Sequence, residues 1–246
     1  MAYDKVVDSA YLDGALTAIA DEIRAKTGGT EPLTLDGMAQ SVGEVFDKGA
    51  LSSVEKMTSA NHLFADDSGK RYNEELFVTF MAADLSNIRR AQYMFQGNVW
   101  LTEFVVPATF RPISIHYMFQ NCTTVKRVSG LDALKVNVLT SVFDGCTQLE
   151  DAGALDFERV TYVTNTFRNC AALKHVTIVN TIALSLDIHW SAELTRASIE
   201  SIMEHLSTTE TGQSVTFSKT AIDNAFIAEE WAALESTRAN WTINLV

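Results

Sequence analysis

The sequence has few of the residues that mark the common special classes of protein. It contains three cysteines, three prolines and twelve glycines in 246 residues. A small, odd number of cysteines behind an acidic N-terminus indicates neither a disulfide framework nor a signal peptide. So few prolines and glycines argue against a linker-rich or disordered chain. No apolar run reaches the ~18 residues of a membrane span. We therefore expect an ordered chain that enters no Sec pathway.

Positive charge is also scarce. Lysine and arginine total 19 and aspartate and glutamate total 31, which gives a formal net charge of −12. Binding to a nucleic-acid backbone requires clustered lysine and arginine, and docking on anionic lipid requires a polybasic segment. We therefore expect neither nucleic acid nor a membrane as a partner.

Signatures of catalysis and of metal binding are missing as well. The five histidines form no HExxH motif, and the chain has no GxSxG turn and no glycine-rich phosphate loop. Zinc sites need ligand pairs at spacings of about two to five, whereas the cysteines are 24 residues apart. An acidic loop at 66–73 lacks the later ligands of a calcium loop, and an ion there is left open. The sequence predicts no catalytic residue, cofactor or metal.

A 24-residue repeat is the most informative feature that is present. One column of the repeat is phenylalanine: Phe95, Phe119, Phe143 and Phe167. Three residues later lies a column of small side chains: Asn98, Cys122, Cys146 and Cys170. Two apolar columns follow at the same interval: Leu101, Val125, Leu149 and Leu173, then Phe104, Val128, Ala152 and Val176. One such unit cannot bury its own apolar face, so the repeats are predicted to stack, with the cysteines as a buried, reduced column.

The segments outside these columns carry other patterns. His62-Leu63-Phe64 resembles Tyr93-Met94-Phe95 and indicates a degenerate first repeat, followed by the polar loop 66–73 and a strand over 76–80. Leu12, Leu16, Ile19 and Ile23 lie on one helical face. Near the other end, Thr195 is a predicted helix N-cap, residues 227–234 have helical spacing, and 215–217 and 241–245 alternate as strands do.

The repeat leads to a definite fold prediction. A period of 20–29 residues with apolar positions three apart is typical of leucine-rich repeats. We predict an α+β protein, a short leucine-rich-repeat solenoid of 24-residue coils over residues 51–189. Residues 1–50 are predicted to form a helical N-terminal attachment or capping segment, and residues 190–246 an α/β C-terminal cap that covers the open end.

Two resemblances to known families rest on these residues. The segments YMFQNCTTV (117–125), SVFDGCTQL (141–149) and NTFRNCAAL (165–173) resemble the MF-x-x-C-x-x-L repeat of BspA-like leucine-rich-repeat surface proteins. Residues 6–42 and 184–206 are similar to segments of tail or receptor-binding proteins of phages and prophages of Gram-positive bacteria. The second resemblance implies a virion protein that joins other tail proteins through residues 1–50 and is cytoplasmic before assembly.

Strand alternation identifies a candidate ligand face. Residues on either side of the Phe104 column should point outward, and the face is predicted to comprise Glu103, Arg127, Ser129, Asp151, His175 and Thr177. The alternative is an ordinary solvated sheet face. A carbohydrate platform is a second candidate, built from the aromatics Tyr3, Tyr11, Trp100, Tyr117, Tyr162 and Trp190. Its alternative is that Trp100 and Trp190 close the core near the ends of the repeats.

The functional prediction is a non-enzymatic, virion-borne adhesion protein that binds a bacterial surface protein or glycan. One alternative is a BspA-like binding protein on the bacterial cell surface, which should carry an export signal or a wall anchor. Another is a hydrolase of surface polysaccharide, which should cluster acidic residues in a cleft. Whether the chain forms a homo-oligomer is open.

Overall fold

The computed structural model describes residue 60, residues 63–65 and residues 74–246. The predicted helical segment over 1–50, the polar loop 66–73 and the aromatics Tyr3 and Tyr11 lie outside these residues. In chain order the described elements are α1 (Glu74–Ala82), β1 (Glu103–Val105), β2 (Arg127–Ser129), a 3-10 turn (Leu131–Ala133), β3 (Asp151–Asp156), β4 (His175–Val179), β5 (Leu186–Asp187), α2 (Arg196–His205), β6 (Ser214–Phe217), α3 (Lys219–Ala225), α4 (Ala228–Ser236) and β7 (Thr242–Leu245).

The predicted leucine-rich-repeat solenoid is wrong. The strands form two separate small parallel sheets, one in the order β1-β2-β3-β4 and one in the order β5-β6-β7, with a few short helices. The first sheet stops at β4 because α2 occupies its edge. The Val176 N–H donates to Ser198 Oγ at 3.0 Å and the Ile178 N–H to Ser201 Oγ at 2.9 Å. Serine side chains therefore take the positions that a further strand would need.

The predicted strand over 76–80 is also wrong, because these residues belong to helix α1. Phe77 and Phe80 both pack edge-on against the Phe64 ring, with centroids 5.5 and 5.2 Å away. Residues three apart share one face of a helix but lie on opposite faces of a strand. The helix is the conformation that brings both rings to the same partner. By contrast, the predictions of a helix after Thr195, a helix over 227–234 and strands near 215 and 243 are confirmed.

The 24-residue spacing sets the register of the first sheet. Phe104 pairs with Val128, Arg127 with Asp151, and Asp151 with His175. Inside, one ring from each repeat stacks on the next, and successive centroids from Phe64 to Phe167 are 5.3, 5.4, 5.7 and 5.9 Å apart. All five rings are fully buried. Phe64 completes the stack, which confirms that this residue belongs to the same column as the later phenylalanines.

The cysteine column is buried and free of disulfides, as predicted. Each thiol donates to the carbonyl of a phenylalanine one repeat earlier: Cys122 to Phe95 at 2.9 Å, Cys146 to Phe119 at 2.9 Å and Cys170 to Phe143 at 3.0 Å. Asn98 takes the same role, with Nδ2 donating to the Phe64 carbonyl at 3.3 Å. Burial raises the pKa of all three thiols, that of Cys170 to about 12.

Two left-handed residues bend the chain in each of four repeats. One column, two residues before the phenylalanine, has φ between 51° and 59°: Tyr93, Tyr117, Ser141 and Asn165. The other, two residues after it, has φ between 60° and 78°: Gly97, Asn121, Gly145 and Asn169. Glycine and asparagine tolerate this region, whereas it strains a tyrosine. The left-handed residues recur at the same two positions in each of these four repeats, so the chain changes direction at equivalent points.

Truncating a ring in the middle of the stack tests how much the fold depends on it. We expect Phe143→Ala to lower the free energy of unfolding by about 3–5 kcal/mol, since it leaves a cavity between Phe119 and Phe167. Val105→Ala, at a side chain 62% exposed, is the control and should cost less than about 0.5 kcal/mol. Urea unfolding measures both. Equal effects of the two substitutions would contradict the assignment.

The thiols give a second test. Because the thiolate is the reactive form and burial raises the pKa of each cysteine, we expect Ellman's reagent at pH 8 to detect almost no thiol in the native protein. After unfolding in guanidinium chloride it should detect Cys122, Cys146 and Cys170. Rapid labelling of the native protein, or a mapped bridge between two of these cysteines, would refute the buried column.

Candidate functional site

Four of the predicted ligand-face residues lie in one row across the first sheet. The strand register places Glu103 beside Arg127, Arg127 beside Asp151, and Asp151 beside His175. Glu103, Arg127 and His175 are exposed and Asp151 is half-buried. The next residue on each strand points inward and is buried: Phe104, Val128, Ala152 and Val176. The sheet therefore holds the four polar side chains side by side over an apolar layer.

The second predicted row is interrupted by a β-bulge at Gly153. Ser129 lies beside Val105, but Thr177 pairs with Ala154 and not with Gly153, which follows Asp151 on β3. Gly153 has φ of 66°, and its N–H donates to Asp151 Oδ1 at 2.8 Å. A Cβ there would lie 2.6 Å from the Val128 carbonyl oxygen. Only glycine fits, and the bulge offsets Thr177 from Ser129.

Charges on this face alternate from strand to strand. Arg127 Nη2 lies 2.8 Å from Glu103 Oε1, and this hydrogen bond raises the pKa of the already basic Arg127. Beside the row, Lys174 Nζ lies 3.9 Å from Glu150 Oε2 and 3.4 Å from Glu193 Oε2. Such exposed pairs add little to stability. They leave a face without a dominant sign of charge, rich in both donors and acceptors, which suits a polar protein or glycan surface.

The described residues hold no constellation for nucleophilic or metal chemistry. No group of three or more histidine, cysteine, aspartate or glutamate side chains among them could hold a metal ion. Ser114 Oγ lies 3.0 Å from Nδ1 of His116, whose pKa is lowered by burial. A carboxylate, that of Asp187, instead contacts His189, at 2.6 Å. In this part of the chain the serine and the carboxylate contact different histidines, whereas a triad needs both on one.

The four described candidates for the aromatic platform lie in different environments. Trp100 packs edge-on against Phe77 at 5.2 Å, and Trp190 lies 3.6 Å from the His189 ring. Both tryptophans are half-buried. Tyr117 stacks on Tyr93 at 4.7 Å with parallel rings, and Tyr162 is 64% exposed. Each ring thus has its own packing role or stands alone.

The sequence reasoning missed a polar ladder that follows the phenylalanine column by one residue. Gln96 Nε2 donates to Gln120 Oε1 at 2.7 Å, and Gln120 Nε2 donates to Asp144 Oδ2 at 3.3 Å. Arg168 donates hydrogen bonds to both carboxylate oxygens of Asp144, with Nε 2.8 Å from Oδ1. The Asp144 side chain is only 3% exposed. The four residues recur at the same 24-residue interval as the apolar columns, and this interval is the signal in the sequence that predicts the ladder.

Breaking the Asp144–Arg168 pair should cost more than breaking the exposed pair on the ligand face. We expect Arg168→Ala to lower the free energy of unfolding by about 1–3 kcal/mol, because it leaves the buried Asp144 carboxylate without its main partner. Arg127→Ala should cost about 0–1 kcal/mol, since both members of its pair are solvated.

Urea unfolding at pH 7 compares the two variants. Combining Arg168→Ala with Asp144→Asn should recover part of the loss, because the buried charge is removed with its partner. Equal costs for Arg168→Ala and Arg127→Ala, or no recovery in the double variant, would contradict a buried charge that depends on Arg168.

Within residues 60, 63–65 and 74–246, no helix has both the length and the apolarity to cross a membrane.

Comparison of the chain with protein families, with curated proteins and with solved structures finds no match. The resemblances to BspA-like proteins and to phage tail proteins therefore stay predictions.

Proposed function

We propose that this chain is a non-enzymatic binding protein that recognises a bacterial surface component through the outward face of its first sheet. The observation that carries the proposal is the row of Glu103, Arg127, Asp151 and His175 on four adjacent strands. These side chains offer donors and acceptors in a fixed order. A polar protein surface or a glycan is the kind of ligand that such a row can bind.

The packing beneath the row supports this proposal. Phe104 and Val128 are buried directly under the outward side chains, and Phe104 packs edge-on against Phe95 and Phe119 at 5.0 and 5.4 Å. Because close-packed interiors have low compressibility, we expect the backbone above this layer to present preorganised groups to a ligand. Preorganisation lowers the entropic cost of binding.

The location of the protein is the finer part of the proposal. Residues 6–42 and 184–206 resemble segments of tail proteins, and we place the chain on a phage or phage-like particle with residues 1–50 as its attachment. A BspA-like protein on the bacterial surface would share the binding chemistry but not the location. Mass spectrometry of particles purified from an induced culture separates the two placements.

A combined substitution on the face tests the binding role. We expect fluorescently labelled protein to bind cells of a Gram-positive host, and Arg127→Ala with Asp151→Ala and His175→Ala to abolish that binding. Three substitutions are needed because energy over a broad polar interface is distributed. The matched control replaces Lys219, Asp223 and Asn224 of α3 by alanine. It removes one exposed ion pair and, like the face variant, leaves the net charge of the protein unchanged.

Flow cytometry on a panel of host strains measures binding, and circular dichroism checks that both variants are folded. Loss of binding in the face variant alone supports the proposal. Equal binding by the face variant and the wild-type protein would show that the cell-binding site lies outside this sheet. Failure of the wild-type protein to bind any strain would contradict the adhesion function itself.

A further inference from the structure

The second sheet ends in an edge strand whose outer side pairs with no other strand among the described residues. Strand β7 pairs with β6 on one side only. The Thr242 N–H donates to the Gln213 carbonyl at 3.0 Å and the Val246 N–H to the Phe217 carbonyl at 3.1 Å. In a parallel ladder, alternate residues face the same neighbour. The N–H and C=O groups of Ile243 and Leu245 therefore point away from β6, toward the free edge.

Apart from its short length, this edge lacks the features that normally protect a sheet from pairing. Proteins protect such edges with short strands, charged side chains, proline or a bulge. Strand β7 reads Thr-Ile-Asn-Leu, with no charge and no proline, and its register with β6 runs without a shift. Leu245 is 39% exposed and Val246 is 69% exposed. Free hydrogen-bonding groups and exposed apolar side chains occur together on one short strand.

We propose that β7 pairs with β7 of a second copy of this chain, antiparallel and with the two-fold axis at Asn244. In this register Ile243 lies opposite Leu245 of the other copy, and Leu245 opposite Ile243. These are the residues whose N–H and C=O groups point outward, so each free N–H meets a free C=O. The strand is complementary to itself, which is what a two-fold interface requires.

The side chains agree with the same register. Ile243 and Leu245 lie beside Val215 and Phe217, which are buried on the inner face of the sheet. Directly opposed residues in an antiparallel pair share a face. The inner apolar rows of the two copies thus become continuous, and the exposed Leu245 is covered by Ile243 of the other copy. Thr242 and Asn244 stay on the outer, polar face.

Charge bears on the strength of this association. Each copy has a formal net charge of −12, so long-range repulsion opposes pairing although β7 itself is uncharged. Salt screens repulsion between exposed charges beyond about 10 Å at 0.1 M. We expect the dimer to be favoured as ionic strength rises.

Disulfide trapping tests the register directly. Asn244 would face its own copy at a non-hydrogen-bonded position, where Cα atoms are about 4.5 Å apart, within the range that a disulfide bridges. We expect Asn244→Cys to give a covalent dimer on mild oxidation. Thr242→Cys is the matched control, on the same face of the same strand. Its two copies would be about 13 Å apart, too far for a disulfide. The native cysteines are buried and do not interfere.

Sedimentation velocity of the wild-type protein gives an independent readout. We expect the mean mass to rise toward that of a dimer over about two decades of concentration. Leu245→Lys should keep the protein monomeric, whereas Asn224→Lys on exposed α3, with the same added charge, should not. Asn244→Cys that stays monomeric after oxidation, equal cross-linking by Thr242→Cys, or wild-type protein that stays monomeric at every concentration would each overturn the proposal. None of these outcomes depends on whether the protein binds cells.

Discussion

Five phenylalanine rings, packed one above the next from Phe64 to Phe167, are the contact on which the first sheet depends. Each fully buried ring contributes about 1.5–3 kcal/mol from the hydrophobic effect. Because one ring comes from each repeat, the stack also sets the offset between neighbouring repeats, with ring centroids 5.3–5.9 Å apart. That offset is close to the distance between hydrogen-bonded strands, about 4.8 Å. The ring stack and the strand register that aligns the outward row are therefore compatible in spacing.

Hydrogen bonds inside the repeats hold the same register by a different means. The buried carbonyls of Phe95, Phe119 and Phe143 each accept the backbone N–H of the residue three positions later, at 2.9–3.0 Å, and each has a second lone pair that can accept another hydrogen bond. Cys122, Cys146 and Cys170 each satisfy the carbonyl of a phenylalanine one repeat earlier, and Asn98 does so for Phe64. Asn98 also accepts the Leu101 N–H at 2.8 Å. A small side chain with a donor is what this column shares, which explains why asparagine can replace cysteine.

The two sheets have different relations to their surroundings. At β4 the edge amides of Val176 and Ile178 are bonded to serine hydroxyls of α2, so that edge is closed. At β7 the outward amides of Ile243 and Leu245 have no such partner among the residues that the structure describes. Under our two proposals, the polar row of the first sheet serves recognition and the edge of the second sheet serves self-association. A pair of chains would present two such rows and could bind a repetitive surface with greater avidity.

The sequence by itself determined the repeat, its buried columns and the outward side chains, because a period of 24 residues and the alternation of a strand are both written in the order of residues. It also located the helix after Thr195 and the strand around Val215. Only the tertiary structure decided where the first sheet ends, since that depends on Ser198 and Ser201 reaching the edge of β4 from a later helix. It likewise decided that Phe77 and Phe80 lie on a helix, because both rings meet Phe64. The bulge at Gly153 depends on the close approach of the Val128 carbonyl of the preceding repeat, which no single repeat encodes.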